Sequence, residues 1–144
     1  MRYLLLSSFF IWISFLSFSQ ENWTLVQEED FLKIEVKDVI CTVNNREQKL
    51  FLFRYTNTSN QKRVYSWQIE SWRNNQCVNC HKIDSGEYDR ELTLEPGESV
   101  EGGCDSKDYK ALYLFGNFVE LVPGMHEQYL TDYSFENLNS TILD

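Results

Sequence analysis

Histidine is scarce in this 144-residue chain: His81 and His126 are the two present. Neither follows a Gly-x-Ser-x-Gly elbow, so the parts of a serine hydrolase are lacking. There is no glycine-rich phosphate loop and no His-Glu-x-x-His helix, which removes the common nucleotide-binding and metalloprotease signatures. Basic residues are outnumbered: 13 Lys and Arg against 22 Asp and Glu leave a formal charge of −9. Nucleic acids and anionic membrane surfaces select Lys/Arg patches, so both are excluded as partners. The acids are scattered apart from Glu28-Glu29-Asp30 and read as a solvated surface. No pair of carboxylates stands out as acid and base, and no enzyme class is indicated.

Long apolar runs are confined to the start. Arg2 supplies a positive n-region, Leu4 to Phe18 form an apolar stretch, and Ser17-Phe18-Ser19 places small residues where signal peptidase cleaves. The stretch falls short of the ~20 residues that span a bilayer, and the polar Gln20-Glu21-Asn22 follows it. Residues 1–19 are therefore expected to be a cleaved signal peptide. Residues 20–144 are expected to form one domain, secreted or periplasmic, with no membrane span after cleavage.

Within that domain apolar residues recur at every second position. Leu32, Ile34 and Val36 alternate with charged residues. The phase then slips to Val39, Cys41 and Val43, which predicts a bulge or a switch between sheets. Phe51, Phe53 and Tyr55 mark a second strand, and Tyr65, Trp67 and Ile69 a third. Leu92 and Leu94 lead into Pro96-Gly97, and Val100 sits in a short fifth piece. Ala111 to Val119 form the most apolar strand, dense enough to be central, and Tyr133, Phe135 and Leu138 belong to the last. Six or seven short strands separated by turn residues describe an all-β, antiparallel β-sandwich. Trp67 in the third strand and the Leu94-Glu95-Pro96-Gly97 turn resemble those of immunoglobulin-like or fibronectin-like modules. Three Asn-x-Ser/Thr sequons, at Asn22, Asn57 and Asn139, would carry glycans only in a eukaryotic source.

Four cysteines, Cys41, Cys77, Cys80 and Cys104, make a disulfide framework the default in an exported chain. If each strand crosses the sandwich once, all four gather at one pole. Cys41–Cys104 with Cys77–Cys80 is then the leading pairing, and crossed pairings stay open. Cys77-Val78-Asn79-Cys80-His81 also spells the attachment string of a c-type haem, the alternative cofactor. Against it, the sixth-ligand candidates Met125 and His126 fall by the same strand count at the opposite pole, ~20 Å away. A redox dithiol lacks the helix N-terminus that lowers a cysteine pKa. A zinc site is disfavoured by an oxidising compartment and by the separation of the remaining two cysteines.

Trp72 falls on the outward side of the third strand, beside the long polar loop that ends at His81. Trp72 to His81 is the candidate binding surface, facing a protein or glycan partner. The expected function is a non-enzymatic binding or accessory module of the cell envelope.

Overall fold

Alternation of apolar and polar residues dominates the chain, and strands dominate its fold. The computed structural model describes residues 22–80, 86–106 and 109–143, and within them nine strands and no helix. The signal sequence assigned to residues 1–19 lies outside the described residues, as does His81. In the first sheet β1 (Thr24–Glu29), β2 (Leu32–Val43) and β3 (Arg46–Asn57) follow one another. The far edge of β3 carries β7 (Ser99–Glu101) and β8 (Tyr113–Phe118) in succession. The second sheet is centred on β4 (Arg63–Arg73), with β9 (Leu130–Ile142) along one edge. Along its other edge lie β6 (Asp89–Leu94) and the two-residue β5 (Gln76–Cys77). Every pairing is antiparallel.

The sheets stack through an aromatic core, as a β-sandwich requires. Tyr55 of β3 lies 4.8 Å from Trp67 of β4, and Phe53 lies 5.3 Å from Phe135 of β9, ring to ring. Leu32, Ile34 and Leu94 complete this core. Three hairpins turn on residue pairs that both take positive φ: Asp30-Phe31, Asn44-Asn45 and Asn74-Asn75. Paired positive φ is the geometry of a two-residue type I′ turn, which asparagine tolerates well.

The phase slip in β2 is not a bulge. Its register with β3 runs unbroken from Leu32↔Asn57 to Val43↔Arg46. One face of this hairpin buries Leu32, Ile34, Phe53 and Tyr55 against the second sheet. The opposite face, nearer the Asn44-Asn45 turn, buries Cys41, Leu50 and Leu52 under Trp23, Tyr113 and Phe115. Two cores on opposite faces of one hairpin thus mimic a slipped period. On that outer face Trp23 sits between Lys37 and Arg54, whose cations lie 4.4 and 4.7 Å from its ring. Buried Glu35 receives Arg54 at 2.9 Å and Lys33 at 3.0 Å.

The stretch 111–119 is not a central strand. Ala111 and Leu112 are core residues outside any strand, and β8 pairs with β3 alone. Its apolar density reflects two-sided packing: Leu114 faces the main core while Tyr113 and Phe115 face the second. The strands beyond the expected six or seven are β1, which lacks alternation, and β5, which is too short to show it.

Strand counting fails at Phe53. Gly102 donates to the Phe53 carbonyl and the Phe53 N–H donates to Leu112, both at 2.9 Å. The chain leaves and rejoins the edge of β3 at one residue, so β7 and β8 act as a single interrupted strand. A Cβ on Gly102 would come within 2.2 Å of the Leu112 carbonyl oxygen, which makes glycine necessary there.

Asn57, fully buried at the end of β3, ties the two sheets together. Its amide nitrogen lies 2.8, 3.2 and 3.1 Å from the carbonyls of Gln61, Leu94 and Glu95. Its amide oxygen accepts from the Ser59 N–H at 2.9 Å and from the Tyr65 hydroxyl at 2.8 Å. A glycan on this sequon is incompatible with the fold. Asn57→Ala should lower unfolding free energy by about 3 kcal/mol in a urea titration, because several buried polar groups lose partners together.

A second expectation concerns acid. Arg54 holds the Glu35 carboxyl below its ordinary value of 4.5; burial opposes this and Lys33 reinforces it. The pair therefore stabilises the fold above that ordinary value, and the contribution is lost as pH falls through the lowered one. Arg54→Met should shift acid unfolding to higher pH, read by tryptophan fluorescence.

Candidate functional site

The second sheet leaves a gap along the β4 edge. β6 pairs as far as Gln68↔Asp89, and β5 begins at Trp72↔Cys77. Asn79 fills it with its side chain: the amide oxygen accepts the Ser71 N–H at 2.9 Å and the amide nitrogen donates to the Ile69 carbonyl at 2.6 Å. The Val78 N–H donates to the Ser71 carbonyl at 2.9 Å. One asparagine thus takes the place of a strand residue, satisfying backbone groups that would otherwise be orphaned. It is held there by its neighbours, because Cys77 and Cys80 are joined by a disulfide. Sequence reading passed over Asn79; only its position between two bonded cysteines in a strand gap gives it a role.

The other disulfide joins Cys41 to Cys104. Cys41 points to the outer face of the first sheet, within the second core, and Cys104 comes from the excursion between Gly102 and Leu112. The two disulfides are thus carried by different sheets, Cys41 by β2 of the first and Cys77 by β5 of the second. Two disulfides in a small β domain are typical of extracellular and periplasmic proteins.

The loop between β8 and β9 is not at the far pole. Asn74, in the turn between β4 and β5, donates its backbone N–H to the Tyr129 carbonyl at 3.0 Å. Its side chain accepts the Tyr129 N–H at 3.0 Å and donates to the Glu127 carbonyl at 3.1 Å. The interrupted strand adds one to the strand count and so inverts the polarity expected for Met125 and His126. Distance therefore does not exclude them as partners of Cys77–Cys80. The haem reading meets a different obstacle, because the two sulfurs that thioethers need are bonded to each other. Met125 Sδ itself receives Arg46 at 3.7 Å.

Three connections meet at this pole: the Asn44-Asn45 turn, the Asn74-Asn75 turn and the loop from Val119 to Tyr129. Arg73 closes the mouth of the sandwich beneath them, donating to the carbonyls of Phe115 and Gly116 at 2.7 and 2.9 Å. Burial lowers the Arg73 pKa. Around this plug Val78, Val119, Leu121, Val122 and Tyr129 are 41–48 % exposed. Trp72 is half-buried, and its carbonyl accepts the Thr131 hydroxyl at 3.2 Å. Of these loop residues the expected strand, Ala111 to Val119, took in Val119 alone, and β8 ends one residue before it. Among the described residues no group of three or more His, Cys, Asp or Glu could hold a metal ion. No described helix is long and apolar enough to cross a membrane.

Comparison with protein-family profiles, curated proteins and solved structures yields no match to the chain.

The two disulfides should contribute unequally. Loop-closure entropy predicts about 4 kcal/mol for Cys41–Cys104 and about 2 kcal/mol for Cys77–Cys80. Replacing each pair by serine and measuring unfolding in guanidinium should give that order. Loss of Cys77–Cys80 should in addition speed amide exchange at Ser71, whose N–H depends on Asn79.

Proposed function

We propose that the chain is an exported, non-enzymatic binding or accessory module of the cell envelope. The observation that carries this reading is the loop pole. Exposed Val119, Leu121, Val122 and Tyr129 stand on a scaffold fixed by Asn74 and Arg73. Exposed apolar side chains on a rigid frame suit a protein partner better than a glycan. Half-buried Trp72 precedes Arg73 on β4 and belongs to the rim of the proposed surface.

The proposed topology is immunoglobulin-like. In such sandwiches the second strand pairs with the fifth, and the third with the sixth. Here β3 pairs with β7 and β8, β4 pairs with β9, and the chain crosses between sheets from β3 to β4.

A second reading, thiol–disulfide exchange at Cys77–Cys80, has one observation in its favour. The Glu70 carboxylate lies 3.6 Å from Cys80 Sγ, where it could take the proton of a released thiol. Intact mass and absorbance of the exported protein separate the readings. The binding module should begin at Gln20, carry two disulfides and lack a Soret band; covalent haem would overturn it. Leu121→Asp and Val122→Asp should abolish retention of the partner from envelope extracts while leaving thermal unfolding unchanged. Undiminished retention would remove the pole as the working surface.

A further inference from the structure

The two sheets are unequal in width. The first is four strands across, counting β7 and β8 as one; the second is three across. Among the described residues nothing pairs along the outer edge of β9. The overhang is visible along the core-facing side of β2. Leu32 and Ile34 are fully buried, Val36 only partly so, and Ile40 is 62 % exposed. Phe51 and Phe53 pack against Tyr133 of β9 at 6.1 and 5.4 Å. Since Val36 pairs with Phe53 and Asp38 with Phe51, the uncovered stretch of β2 runs alongside the first half of β9.

We propose that the outer edge of β9, from Leu130 to Glu136, accepts a strand from a partner polypeptide. That strand is an extended, cationic segment with apolar residues at alternate positions. The inference deepens the binding-module reading and rests on the immunoglobulin-like pairing, in which a seventh strand takes this edge. Strand addition would pair the edge's backbone groups, releasing the Asp132 carboxylate from the Tyr133 N–H that it now accepts at 2.8 Å, and alternate side chains of the incoming segment would cover Val36 and Ile40.

Charge selects the occupant. From Ala111 to the last residue the chain contains no lysine or arginine, whereas Asp132 and Glu136 stand on β9 itself. Natural edge strands are commonly guarded by lysine or proline, and this one has neither. Two cations on the core-facing side are already engaged: Lys49 by Asp38 at 2.9 Å, and Arg73, in register with Leu130, by the carbonyls of Phe115 and Gly116. Lysine or arginine on the outward positions of the incoming strand would meet Asp132 and Glu136 as cross-strand pairs. A second copy of β9 would instead bring like charges together. The irregularity around Asn137, which has φ 54°, sets the far limit of the site.

The test uses the oxidised mature chain and a capped nine-residue peptide with valine at alternate positions and lysine or threonine between. Hydrogen exchange should slow at alternate amides from Leu130 to Glu136, and the Ile40 methyl resonances should shift. The same peptide with glutamate for lysine should bind roughly fivefold more weakly or worse, as should one with proline at two inward positions. Asp132→Lys with Glu136→Lys should reverse the charge preference. Binding indifferent to proline, or protection elsewhere than β9, would overturn the proposal, as would self-association through this edge that excludes the peptide. Those results would leave the loop-pole reading standing, because its own variants lie at Leu121 and Val122.

Discussion

The amide of Asn57 is the point on which the two sheets depend. A sandwich is held over most of its area by non-directional apolar contact, which fixes how close the sheets lie but tolerates sliding. Asn57 supplies direction. As the last residue of β3 it belongs to the first sheet, while its side chain bonds the carbonyls of Leu94 and Glu95 at the end of β6 and the hydroxyl of Tyr65 in β4. Its own backbone holds the turn between β6 and β7: its N–H donates to Glu98, and its carbonyl receives Gly97 at positive φ. With this end pinned, the register of Tyr55 on Trp67 and of Phe53 on Phe135 follows, and the far end is left to Arg73.

Much of this was legible in the sequence, and for a physical reason. A strand buried on one face writes its pattern with period two, and so β2, β3, β4 and β9 could be read from Leu32, Phe53, Trp67 and Phe135. Where burial is two-sided the pattern misleads. The β2–β3 hairpin covers different cores with opposite faces, and the alternation of Cys41 and Leu50 looks like a defect when it is a second hydrophobic layer. β8 looked central because Leu114 and Tyr113 are claimed by different cores.

The loop pole was harder to read. Which end of a sandwich a loop occupies depends on the number of crossings before it. The excursion from Gly102 to Leu112 splits one strand into two without a crossing, and no local signal marks that. The exposed apolar residues of the β8–β9 loop therefore came to lie beside the turn between β4 and β5, where Asn74 fastens them. Asn79 was equally invisible, since an asparagine in a polar loop has no pattern until the gap it fills is known.

That side-chain rung has a consequence for how this edge is held. β4 is complete along the edge beside Asn79, and the disulfide around it is closed before the chain moves on. This stretch of β4 is thus satisfied by Val78 and Asn79, inside the disulfide-closed turn. The edge at this point depends on one side chain and one covalent bond rather than on a length of strand, a local dependence in a fold otherwise built from long ladders.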